Sequence, residues 1–359
     1  MKRLMTLLTG LGLIGYSQTG LANTCYWEAN SPPGPQLYRQ DMGSVYIPRH
    51  AEIGSIIGEF NKYGTPTDEN RSSLRCTNDG SVILDFTINA VRAISPVLLP
   101  PINGEDVNGK VIETNISGVG AYVRLGFPFS GGATNAFTPM GPPVIPFTAT
   151  HNQRMSVEFS LSRLSSRVTL IKTGDITPGP QPLDGGTLAT SSLSGVGKGF
   201  DFGISGTVIQ AQCSVSATAV SADPVDLKEW NIADFKGPDT GTTPVPFSIA
   251  LENCVADPTN NNIATAHIRL DGAKDSVPID SAKGLFSLSA DSNARGIGIQ
   301  VLTHDGITPF ELEKEIPVLA ITPGNVVLDF KARLYQTDPT SAIEPGTAKG
   351  ALAFTITYK

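Results

Sequence analysis

Apolar and polar residues alternate with a period of two wherever a pattern is visible along the chain. Val245, Phe247, Ile249 and Leu251 alternate with Pro246, Ser248, Ala250 and Glu252, and Leu328, Phe330, Ala332 and Leu334 with Asp329, Lys331, Arg333 and Tyr335. At the C-terminus Leu352, Phe354, Ile356 and Tyr358 alternate with Ala353, Thr355, Thr357 and Lys359. Successive side chains of a strand point to opposite faces, so each run predicts a strand with one buried face. Residues 44–47, 82–88, 120–125, 157–161 and 167–172 are further strand candidates, and no segment holds a helical period. The pattern predicts an all-β chain of antiparallel sheets packed as sandwiches.

Two stretches break the rhythm: 126–147, rich in Gly, Pro and Phe, and 174–199, rich in Gly, Ser, Thr and Pro. Both read as long loops, a class that is usually functional or disordered, and 174–199 is either a surface excursion within the first domain or the boundary between domains. A length of 359 residues suggests about two domains. Composition supports the all-β reading, since 37 Gly and 27 Pro supply turns while only 16% of residues are charged. The net charge of −7, with no run of Lys or Arg, leaves no electrostatic footprint for nucleic acid.

Met1, Lys2 and Arg3, the apolar residues 4–14, and Gly20, Leu21 and Ala22 match the three regions of a secretory signal, so residues 1–22 are expected to be removed. Export makes the four cysteines candidates for pairing. Three connectivities are possible, and the 137-residue gap between Cys76 and Cys213 favours the local pairs Cys25–Cys76 and Cys213–Cys254. Each would stabilise by about 4 kcal/mol in the chain-entropy model. Closely spaced metal ligands are absent, and no cofactor is expected.

Catalytic signatures are weak. The four histidines are His50, His151, His267 and His304; Gly203-Ile204-Ser205-Gly206 departs from the nucleophile elbow, and Gly195-Val196-Gly197-Lys198-Gly199 departs from a phosphate loop. His304-Asp305-Gly306 reads as a tight hairpin turn. The chain is not read as an enzyme.

The last 14 residues carry the most specific signal. Tyr358 is penultimate, apolar residues occupy the even positions counted back from Lys359 as far as Leu352, and Gly346 stands at the fourteenth. Together with 206–209 before Cys213, 247–251 before Cys254, 296–301 and 332–335, this closely resembles the C-terminal signature of chaperone–usher pilus subunits. The resemblance implies an incomplete immunoglobulin-like pilin domain at 213–359. Its missing strand would come first from a periplasmic chaperone and then from the next pilus subunit, with an outer-membrane usher assembling the fibre. Gly346, Leu352, Phe354, Ile356 and Tyr358 are then the chaperone and donor-strand residues. About 185 residues stand where an ordinary subunit has a donor extension, which implies a tip adhesin: a receptor-binding, lectin-like sandwich at 23–209 joined by a linker at 210–212.

Residues 43–48 and 53–58, with Cys25 near the expected mature terminus, resemble type 3 fimbrial tip adhesins. The receptor would be a host matrix protein, a glycan or an abiotic surface. Arg124 and Tyr122 share one side of a predicted strand; with Phe127 and Phe129 of the following loop, and with Ile53, they form the candidate receptor surface. A minor or initiating pilus subunit, or a carbohydrate-active enzyme fused to a pilin domain, are the competing readings.

Overall fold

The computed structural model describes residues 23–133, 136–259 and 263–359; the leader expected over 1–22 lies outside the described residues. Among them are twenty-one strands, three short 3-10 turns and no α-helix. Among the described residues no helix is long and apolar enough to cross a membrane.

Two apolar cores divide the chain. One gathers buried residues from Cys25 to Val208, the other from Ala211 to Tyr358. In the first unit an antiparallel sheet in the order Ile56–Gly64, Ser166–Lys172, Val119–Leu125 and Val111–Glu113 faces a second sheet containing Leu84–Ala90, Gln181–Leu193 and Gly197–Ser214. Ile57, Val123, Val168 and Leu170 from the one meet Phe86, Ile88, Phe200 and Phe202 from the other, all buried. At about 2–3 kcal/mol for each fully buried large side chain, this layer is the main stabilising term of the unit.

Gly197–Ser214 ties the units together. It pairs in parallel with Gln36–Pro48 as far as Ala211 opposite Pro48, then antiparallel with Val245–Val255 from Gln212 opposite Val255. Residues 210–212, anticipated as a linker, therefore lie inside one continuous strand. The 174–199 stretch also differs from both expected roles, excursion and boundary. Gln181–Leu193 is a strand hydrogen-bonded on both sides, to Leu84–Ala90 and to Gly197–Ser214. At Gly203 of the neighbouring strand a Cβ would lie 2.7 and 2.8 Å from the carbonyl oxygens of Gly186 and Gly185, so the two backbones approach closely there.

In the second unit Val245–Val255, Gly324–Gln336 and Ile297–Thr303 form one sheet, with Leu328 and Phe330 on its buried face. Opposite lies a three-stranded sheet in the order Ile316–Ala320, Thr265–Ala273 and Ala351–Tyr358. Disulfides join Cys25 to Cys76 and Cys213 to Cys254, the local pairs favoured by the sequence. His304, Asp305 and Gly306 occupy the turn after Ile297–Thr303, where the Asp305 carboxylate accepts hydrogen bonds from the backbone of Ile307 and Thr308.

Candidate functional site

Among the described residues the terminal strand Ala351–Tyr358 pairs on one side only, with Thr265–Ala273. Lys359 and Thr265 exchange both backbone hydrogen bonds, at 2.7 and 3.1 Å. In an antiparallel ladder the N–H and C=O of alternate residues point to the same side. The odd-numbered residues therefore face the partner strand, and Leu352, Phe354, Ile356 and Tyr358 turn their backbone groups to the opposite edge. Their side chains pack on the second core, yet Leu352, Phe354 and Ile356 are only half-buried. Unpaired edge groups beside half-covered apolar side chains are the chemistry of a strand-acceptor site.

Tyr358 closes the end of this edge. Its hydroxyl donates to the Cys213 carbonyl at 3.2 Å, and its own N–H donates to Nδ1 of His50 at 3.0 Å. The His50 N–H returns a bond to the Tyr358 carbonyl at 2.9 Å. Lys172, buried at the end of Ser166–Lys172, holds the turn that presents His50 by donating to the Ala51 carbonyl at 2.6 Å. Burial lowers the pKa of this lysine, with Asp175 opposing. Sequence reasoning missed His50 and Lys172 because nothing local marks a contact between residues 308 positions apart. Gly346 lies away from the edge, packed against Asn293 and Ala294.

On the first unit the structure rearranges the anticipated receptor surface. Tyr122 and Arg124 do share a face, and both reach Glu105. The Tyr122 hydroxyl donates to it at 3.2 Å, and Arg124 Nη2 donates to both carboxylate oxygens at 2.9 and 2.8 Å. Tyr122, however, is only 3% exposed, because Leu99, Ile102, Val107 and Val144 form a third apolar cluster over that face of the sheet. Burial, with the Glu105 charge adding to it, raises the Tyr122 pKa.

Phe129 is equally buried. It stacks on Phe86 with ring centroids 3.8 Å apart and belongs to the core, not to a surface. Phe127 is 41% exposed, edge-on to Phe159. Ile53 is exposed but distant, since Gly54 bonds to Lys172, which pairs with Val119, five residues along the strand from Arg124 and about 17 Å away. Of the anticipated residues Arg124 is partly exposed and ion-paired to Glu105, and Phe127 is exposed where it meets Phe159, whereas Tyr122 and Phe129 are buried and Ile53 is distant. Glu105 was the residue missed.

An open depression of about 390 Å³ on the second unit is lined by Ser248, His304 and Asp329 among others. These are the residue types of a hydrolytic triad, but among the described residues no hydrogen bond joins any two of them, and no cluster of potential metal ligands occurs.

Comparison with known proteins gives the second unit relatives. A family profile described as "Fimbrial protein" matches residues 202–359. The chain is 30% identical over 164 residues to the type 1 fimbrial subunit of Salmonella typhimurium, covering 43% of this chain and 80% of that one. To the type-1 fimbrial protein A chain of Salmonella typhi it is 31% identical over 164 residues, covering 43% and 79%. Among solved structures it is similar to the CupB6 tip adhesin of Pseudomonas aeruginosa (14% identity, 94% and 95% coverage, TM-score 0.38). It is also similar to the receptor-binding domain of the adhesin MrkD1P of Klebsiella pneumoniae (20% identity, 54% and 99% coverage, TM-score 0.32). With its terminal strand, both second-unit cysteines and the edge that strand leaves open all inside the matched region, the chain belongs to the fimbrial protein family.

Proposed function

We propose that this protein is a two-domain fimbrial tip adhesin, exported through the periplasm to the tip of a surface fibre. Residues 213–359 take up a strand from a periplasmic chaperone and exchange it, at the outer-membrane usher, for the donor strand of the next subunit. Residues 23–209 bind a host matrix protein, a glycan or an abiotic surface. The observation that carries this reading is the outward edge of Ala351–Tyr358, where Leu352, Phe354 and Ile356 stand half-buried with their edge-facing backbone unpartnered. A strand laid there supplies backbone hydrogen bonds and covers the apolar side chains together.

For the receptor the reading rests on Arg124, partly exposed and paired to Glu105, with exposed Phe127 as a separate aromatic candidate. A paired cation and carboxylate at a partly exposed position suit polar ligands, saccharides included. The test is binding of the full chain to matrix proteins, a glycan array and coated surfaces, with Arg124→Ala alongside. Loss of binding in the variant supports this position, and unchanged affinity removes Arg124 from the site. A first domain that binds nothing would favour a minor or initiating subunit.

A further inference from the structure

The turn at residues 49–51 is where the first unit meets the end of the terminal strand. His50 and Tyr358 exchange two hydrogen bonds there, with their rings nearly parallel and centroids 6.2 Å apart. A ring nitrogen that accepts from an N–H must keep its lone pair, so His50 is neutral and carries its proton on Nε2. Adding a proton at Nδ1 sets one N–H against another and removes the bond. The turn itself is held independently of that ring: Lys172 donates to the carbonyls of Ala51 and Arg49, and Arg49 Nη1 donates to Gln212 Oε1 at 2.8 Å.

We propose that His50 is a proton-operated latch between the two units. Neutral, it seats the first unit on the last outward-facing position of the acceptor strand; protonated, it releases Tyr358 and leaves the units joined through Gly197–Ser214. Charged groups face the ring from both sides: Arg49 and Lys172 on the first unit, Glu315 and Lys359 on the second. His267, on Thr265–Ala273, lies within electrostatic reach of Glu315. Partial loss of water, then Arg49 and Lys172, lower the His50 pKa from 6.5; Glu315 opposes them and Lys359 adds to the lowering. A lowered histidine pKa places the closed state at neutral pH, and the latch opens as pH falls below about 6.5.

The test follows the His50 ring by NMR with labelled histidine while measuring hydrogen-exchange protection of the residue 50 amide. The full chain is used alone if it stays monomeric and with its chaperone if it does not, so the outcome does not depend on whether a strand must be added. The expected result is an Nε2–H tautomer at neutral pH and a midpoint below 6.5. Amide protection should fall about tenfold across the same titration, the factor one hydrogen bond supports. In His50→Asn the side-chain oxygen accepts in place of Nδ1 without titrating, so protection stays high throughout; in His50→Ala it is low throughout. An Nδ1–H tautomer at neutral pH, or a His50→Asn chain that loses protection in parallel with the wild type, overturns the proposal.

Discussion

The phenolic hydroxyl of Tyr358 reaches across the second unit to donate to the backbone carbonyl of Cys213, 145 positions earlier in the chain. That single bond fastens the end of the strand with the open edge to the strand that carries the disulfide and runs on from the first unit. A side chain that looks in sequence like the last member of an apolar stripe is thus a polar anchor with an apolar body.

Tyr358→Phe keeps the buried ring and removes the donor. It should lower the stability of the second unit by about 1 kcal/mol, whereas Tyr358→Ala, which also empties the ring's place in the core, should cost several-fold more. Denaturant unfolding followed at the C-terminal unit distinguishes the two. Equal losses would mean that the hydroxyl carries the whole contribution of Tyr358.

Gly346 has a steric explanation apart from strand exchange. A Cβ there would lie 2.3 Å from Asn293 Oδ1 and 2.7 Å from the Ala294 nitrogen. Asn293 Oδ1 also accepts from the Thr347 N–H, so it cannot swing away without loss. Gly346→Ala should destabilise by about 1–3 kcal/mol, as overpacking does. Thermal unfolding checks it, and an unchanged midpoint would show that the segment yields freely.

Asp305 makes the hairpin after Ile297–Thr303 sensitive to acid. Its carboxylate accepts from the Thr308 hydroxyl, the N–H groups of Ile307 and Thr308 and the Thr303 hydroxyl, which hold its pKa far below the usual range. A carboxyl depressed in the folded state stabilises above its unfolded pKa of 3.8 and loses that contribution as pH falls toward the folded value. Asp305→Ala should therefore lower the melting temperature at neutral pH, and the gap from wild type should narrow as the pH is taken below about 4. A gap that widens in acid would contradict the assignment.

How much of this was legible in the sequence depended on whether one face of a strand stays wet. Leu328 and Phe330 alternate with polar neighbours because Gly324–Gln336 has one buried face along this stretch, so its pattern could be read directly. Val119–Leu125 is covered on both faces, by the main core and by the cluster around Leu99 and Val107, so Tyr122 passed for a surface residue. Phe127 and Phe129 stand two positions apart in one Gly/Pro-rich stretch. Only the distant partner Phe86 decides that the second is core. The strand Gln181–Leu193 was hidden by its Gly, Ser and Thr content, which interrupts the apolar alternation. The terminal strand Ala351–Tyr358 was visible as an apolar stripe. Its contact with His50 was not, because that contact exists only after both units fold.

The central claim is that the even-numbered residues of the terminal strand offer their backbone to another chain, and hydrogen exchange reads it amide by amide. The full chain is compared before and after complex formation with its periplasmic chaperone. The account predicts that the amides of Leu352, Phe354 and Ile356 gain protection, while those of Ala353, Thr355 and Thr357, already bonded to Thr265–Ala273, do not change. Equal change at odd and even positions, or none at Phe354 and Ile356, would contradict it.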